Sequence, residues 1–237
     1  MVLNMDLRQL VIGSLLVSLI ACRSREEPNR AIQKPLLFIH CSITGEEHSE
    51  VVVIRVQYKK GGPNGRPAMT NSTAGVLLDE VALEKDSAGY SGAYYEISRP
   101  AANFEGSHTL DFIDSTGKTT AYKFDYFPFR ITPDVGTVIQ TKPMLLRLTP
   151  ASKQQAMVTL LLTDTAFNNE DVNLRSALSN SSLEITEEMW QKLKPGPVVM
   201  EIVREERIAM DKATGYAGRI AIIYGMKREF VATGSPE

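Results

Sequence analysis

Residue types able to do chemistry are thinly spread along this sequence, and only one stands in a context that gives it a task. Cys22 closes the tetrapeptide Leu19-Ile20-Ala21-Cys22 at the end of an apolar run from Leu10, with Arg8 ahead of the run. A short apolar run that ends in a small residue suits a cleaved secretory signal, and Cys22 stands directly behind that small residue. The second cysteine, Cys41, lies in Leu37-Phe38-Ile39-His40-Cys41-Ser42-Ile43. A period of two there puts Leu37, Ile39, Cys41 and Ile43 on one face and Phe38, His40 and Ser42 on the other. Cys41 is therefore expected to be buried and inert, behaving as a small hydrophobe. With Cys22 committed to modification, Cys41 has no partner within the chain and no disulfide can hold the fold.

Other candidate constellations fall short of a working site. Gly117-Lys118-Thr119 imitates the end of a phosphate-binding loop, but Phe112 stands where that loop needs its first glycine. Gly89-Tyr90-Ser91-Gly92-Ala93 approaches a nucleophile elbow and ends in Ala93 where glycine is required. His40, His48 and His108 have no i,i+4 pairing for a metal, and Asp111 and Asp114 lack the alternating oxygen ligands of a calcium loop, so no metal and no cofactor is expected. Glu187-Glu188 and Glu205-Glu206 diverge on any helix or strand and form no acid/base dyad. Trp190 is expected to pack in a core. The tyrosines Tyr90, Tyr94 and Tyr95 lie among glycine and serine, where a ring is exposed at little steric cost, and are the candidate ligand contacts.

Residues 1–22 resemble the signal peptide and lipobox of bacterial lipoproteins. The apolar run is well short of the roughly 20 residues that a membrane-spanning helix needs. The resemblance implies removal of residues 1–21, lipidation of Cys22 by a diacylglycerol and a further acyl chain such as palmitate, and anchoring without a transmembrane helix. Arg23 rather than aspartate follows Cys22, which by the same resemblance places the protein at the outer membrane, on its periplasmic or surface face. Residues 22–34, with Arg23, Arg25, Glu26 and Glu27, read as a solvated tether.

The elements behind the tether are short strands and turns. Val51 to Tyr58 puts Val52, Ile54, Val56 and Tyr58 on one face, and Gly61-Gly62-Pro63-Asn64-Gly65 forces a turn. Strands over residues 94–97 and 109–113 lead to a hairpin through Asp114-Ser115-Thr116-Gly117-Lys118, with Thr120, Tyr122, Phe124 and Tyr126 alternating after it. Residues 75–84 fit a strand or a short helix. Prolines at 128 and 133 end the first domain, and strands over 144–148 and 156–162 open the second. A polar stretch over 168–182 predicts a long loop or an edge strand. Thr186 then caps a helix of one or two turns with Glu187 and Glu188 in its first turn and Pro195-Gly196 as its stop. Strands over 198–207, 219–224 and 227–232 complete the chain. The expected fold is mainly β, two tandem immunoglobulin-like antiparallel β-sandwich domains over residues 35–133 and 140–237, with the one short helix in the second; the resemblance to tandem envelope lipoproteins of that kind is architectural.

Composition excludes some partners. Hydrophobic residues at 43% and charged residues at 23% suit a globular core, and a net charge of −2 with both signs interspersed offers no basic footprint for nucleic acid. The expectation is a lipid-anchored envelope protein that acts as a non-enzymatic binding or interaction module for an envelope protein or a glycan. The competing expectation is a hydrolase whose active site assembles from residues distant in sequence, such as His108 or Asp111.

Overall fold

Strand alternation in the sequence becomes one long sheet with a smaller sheet packed on each of its halves. The computed structural model describes residues 37–68, 75–88, 92–114, 116–151, 156–164, 171–178, 180–210 and 217–234. All of these belong to a single compact unit, Pro35–Glu237. Among the described residues no helix is long and apolar enough to cross a membrane.

The first lobe is built from β1 (Leu37–Glu46), β2 (Val51–Lys60), β3 (Arg66–Pro67), β4 (Gly75–Leu78), β5 (Val81–Ala82), β6 (Glu84–Ala88), β7 (Gly92–Pro100), β8 (Gly106–Ile113) and β9 (Thr119–Tyr126). The second takes β10 (Arg130–Thr132), β11 (Val138–Gln140), β12 (Met144–Thr149), β13 (Ala156–Asp164), β14 (Val172–Ala177), β15 (Ser182–Ile185) and α1 (Glu187–Gln191). Two long strands, β16 (Gly196–Met210) and β17 (Ala217–Thr233), run through both. The ten-stranded sheet has the order β14-β13-β16-β17-β1-β2-β7-β6, with β11 on β17 and β3 on β2; β5-β4-β8-β9 and β10-β12-β15 form the covering sheets.

Each lobe buries one face of this sheet. The first core joins Ile39, Cys41, Ile43, Val52, Ile54 and Val56 to Val76, Leu110, Phe112 and Phe124, and takes in Met210, Ile220 and Ile222 from the far end of the chain. The second joins Val158, Leu160, Leu162, Val198, Met200 and Ile202 to Leu146, Leu148, Leu183 and Ile185. Trp190 seals its edge, its indole N–H donating to the Lys142 carbonyl at 2.8 Å and its ring meeting Phe230 edge-on. Thr186 caps α1 through Met189 N–H. The expected mainly β, sandwich-like architecture with one short α-helix is what the described residues display.

One open choice is settled and two details differ from expectation. Residues 75–84 are strand, turned by Asp79 and Glu80 in the left-handed region at φ 47° and 70°. The expected strands over 219–224 and 227–232 are one continuous β17, because β16 pairs with it without a break from Gly196↔Ala232 to Met210↔Gly218 and Gly225 is absorbed as an ordinary strand residue. Two pairings are parallel: β1 with the first half of β17 and β11 with its last residues. β1 of the first lobe and β11 of the second thus dock on the same closing strand.

The joint between the lobes is aromatic and cationic. Tyr224 on β17 meets Tyr126 of the first core and Phe129 of the second, centroids 6.4 and 5.4 Å away. Its cross-strand partner Arg204 donates to the Pro150 and Phe127 carbonyls at 2.9 and 2.6 Å, pairs with Glu206 and lies over the Phe129 ring. Burial lowers the Arg204 pKa, opposed by Glu206. A buried guanidinium is tolerable only when its donors are satisfied in this way.

Candidate functional site

The outward face of the first lobe's sheet carries what its inward face excludes. Alternation along β1 and β2 turns Ile39, Cys41, Ile43, Ile54 and Val56 inward and leaves His40, Ser42, Arg55, Gln57 and Lys59 on the other side. Register then sets them in rows. Arg219, His40 and Gln57 are successive cross-strand partners, as are Ser42, Arg55 and Glu96. A depression of about 350 Å³ opens there, lined by His40, Ser42, Arg55, Gln57, Lys59 and Tyr94, with Gly65 and Pro67 at one end.

The side chains are fixed by their neighbours. Arg219 Nε donates to His40 Nδ1 at 3.1 Å. A guanidinium can only donate, so Nδ1 is the unprotonated nitrogen, and the neutral ring carries its hydrogen on Nε2. Burial lowers the His40 pKa, and the nearby charges of Arg219 and Lys59 lower it further. Arg55 pairs with Glu96 at 2.5 Å and lies 4.6 Å over the Tyr94 ring. The Tyr94 hydroxyl donates to Asp86 at 3.0 Å, a bond that pushes its pKa up. Lys59 Nζ donates to the Pro63 carbonyl at 3.1 Å.

Of the residues singled out from sequence, Cys22 and Tyr90 lie outside the described residues. Tyr94 and Tyr95 are adjacent on β7 and so point to opposite faces. Tyr95 is 7% exposed, in the first core and edge-on to Tyr58; Tyr94 is 8% exposed, covered by Arg55. The expectation of freely exposed rings fails for both, since a strand between two others leaves a tyrosine either the core or a lateral neighbour to lie against. Cys41 is fully buried and its thiol pKa is pushed far up by burial, as its place in the alternation implied.

His108 is committed to structure. Its Nδ1 contacts Asp79 at 2.7 Å and its Nε2 the Phe104 carbonyl at 2.9 Å, while its ring stacks on Phe104 at 4.0 Å. Neither nitrogen is left to act as a base. Among the described residues no serine, threonine or cysteine is hydrogen-bonded to a histidine. No group of three metal-binding side chains is found among them either. Asp114 holds the hairpin turn by accepting from Thr116 and Lys118 N–H, and Asp111 borders a shallow acidic hollow with Asp79 and Glu80.

Sequence reasoning placed His40 on a polar strand face but did not reach Arg219, which is 179 positions away. Parallel pairing of the first and last strands is what brings the two together, and no local pattern announces it.

No family model and no curated protein matches the chain. Similar solved structures include Escherichia coli alpha-2-macroglobulin activated by porcine elastase, at 13% identity and a TM-score of 0.31, covering 83% of this chain and 20% of that one. The Yersinia pseudotuberculosis adhesin InvE overlaps at 12% identity and a TM-score of 0.24, covering 81% and 60%. DIP-gamma IG1+IG2 does so at 11% and 0.22, covering 81% and 98%. This chain thus spans about a fifth of the length of the macroglobulin chain it overlaps. Overlaps this loose assign neither a family nor a ligand.

Proposed function

We propose that the protein is a non-enzymatic binding module of the bacterial cell envelope, anchored at the outer membrane by lipid on Cys22 and using the outward face of its first lobe to hold a ligand. The observation that carries the binding reading is the depression over His40, Ser42, Arg55, Gln57, Lys59 and Tyr94. Convergent polar groups in a concavity are the usual mark of a recognition site. The histidine best placed for catalysis, His108, has both nitrogens occupied. The ligand belongs to an envelope protein or a glycan. The lipobox at residues 19–22 supports the anchor, and two or more acyl chains hold a protein stably where one does not. The partition into domains 35–133 and 140–237 belongs to the same proposal, with Met210, Ile220 and Ile222 lent to the first core.

Two measurements test this reading. Cys22→Ala should abolish labelled-lipid incorporation and move the protein from the membrane to the soluble fraction; a wild-type protein that takes up no lipid removes the anchor. For binding, the detergent-solubilised full-length protein is screened against envelope proteins and glycans beside Ser42→Trp, which fills the depression. Loss of the captured ligand with unchanged thermal unfolding is the expected result, and capture unaffected by the substitution places binding elsewhere.

A further inference from the structure

The depression over His40 is unusual in the sign of what it offers. Of the side chains that line it, His40, Lys59 and Arg55 carry hydrogen-bond donors, two of them cationic. His40 presents Nε2–H, because Arg219 holds its Nδ1 as acceptor. Among the described residues Lys59 is engaged by the Pro63 carbonyl, a neutral partner. Among the described residues Arg219 makes no direct ion pair, although the Glu205 carboxylate lies within reach of its charge. Arg55 keeps terminal guanidinium nitrogens beyond the Nε that meets Glu96. Among the described residues no carboxylate lines the hollow. The nearest acids are already committed: Glu96 to Arg55, Glu205 to Arg207 and Arg175, and Asp86 to the Tyr94 hydroxyl.

We infer that this depression is an oxyanion site, taking a carboxylate, sulfate or phosphate group against Lys59 and His40 Nε2–H, with the Ser42 hydroxyl as a further donor and Arg219 behind His40, fixing its ring. The inference rests on the reading of this face as the binding face and names the chemistry of what it binds. Lys59 on β2 and Arg219 on β17 flank β1, where His40 stands, and their charges outweigh that of Glu205 at His40; such a face favours a negative charge brought from outside, and donors fixed in advance by a strand ladder take up that charge with little reorganisation. The neutral state of His40 fits the same field. Held neutral, it adds a hydrogen-bond donor without adding a third repelling charge.

The test uses the full-length protein in detergent at low salt, with inorganic sulfate, inorganic phosphate, glucuronate and neutral glucose as probes, read by NMR shifts of His40 and by calorimetry. Sulfate, phosphate or glucuronate should bind and shift the His40 resonances. Lys59→Gln and Arg219→Gln should each weaken that binding at least about tenfold, with far-UV spectra and melting unchanged; both side chains are half-buried on the polar face of the sheet, outside the cores, so these conservative variants keep the fold. Binding of glucuronate without the inorganic anions would identify the oxyanion as one carried on a sugar, and binding of all three a bare anion. If glucose binds at His40 as well as glucuronate does, the oxyanion assignment falls while the binding face survives. If no probe moves His40, and the envelope screen finds no ligand that Ser42→Trp abolishes, both readings fall together.

Discussion

Arg204 and Arg219 belong to paired strands of one sheet and carry the same charge, yet the fold uses them in opposite ways. Arg204 sits at an even position of β16, on the face shared with both cores, and is 5% exposed with two carbonyls, a carboxylate and an aromatic ring around it. Arg219 sits at an odd position of β17, on the polar face, with a neutral histidine as its hydrogen-bond acceptor. One guanidinium is saturated by the protein and ties two lobes together. The other is left under-neutralised among the described residues at the edge of a hollow. Saturation marks structure, and an unspent donor marks a place for a ligand.

The largest effect should come from breaking the saturated member. Arg204→Ala uncovers the Phe127 and Pro150 carbonyls and Glu206 together, and should cost about 3 kcal/mol in urea unfolding. A loss below about 1 kcal/mol would remove the distinction drawn between the two arginines. Next in size is Gly45→Ala, since a Cβ there would lie 1.9 Å from the Tyr126 hydroxyl, which is packed against the joint. Overpacking at such a contact should cost about 2 kcal/mol, measured the same way.

A smaller effect is expected where the joint reaches the surface. Arg228 bridges Glu47 and Asp134 and is about one-fifth exposed, so Arg228→Ala should cost about 0.5–1 kcal/mol at neutral pH. The hydrogen bond from Arg228 holds the Glu47 carboxyl below its ordinary range. Because the folded value is depressed, the contribution is present above the unfolded value of about 4.3 and is lost as pH falls through the folded one. The variant's stability should therefore approach that of the wild type in acid. A gap that persists unchanged at low pH would assign the pair no electrostatic role.

Least affected in stability is the unsaturated arginine. Arg219→Gln should change unfolding by no more than about 0.5 kcal/mol, yet raise the His40 titration seen by NMR, since Arg219 is one of the charges that lower it. An unmoved His40 titration would contradict the field assigned to this face. For the wild type the sign is the reverse of the usual histidine bridge. The folded His40 pKa lies below its ordinary 6.5, so the unfolded chain binds the proton more readily, and stability declines as pH falls from about 6.5 until the folded ring is itself protonated.

Much of the fold was legible because strand alternation is local. The inward sets Ile39, Cys41, Ile43 and Val52, Ile54, Val56 can be read from residues two apart, and so can the cap at Thr186 and the hairpin at Asp114–Lys118. Periodicity also divides His40 from Cys41. It cannot say what covers each face, and that is why Tyr94 and Tyr95 were misjudged: a run of glycine and serine nearby says nothing of Arg55 or Tyr58 lying across neighbouring strands. The continuity of β17 was hidden for a related reason. Gly225 reads as a break until a partner strand pairs straight past it.

By itself the sequence determined the mainly β character, the inert burial of Cys41, the capped helix and the polar side on which His40 stands, because each depends on contacts within a few residues or on a period of two. Only the tertiary structure decided that β1 lies parallel to β17, that Arg204 fills the joint, and that Arg219 meets His40 across 179 positions. Those depend on which strands become neighbours, and strand partnership is set by the burial of whole faces, a property no single segment carries.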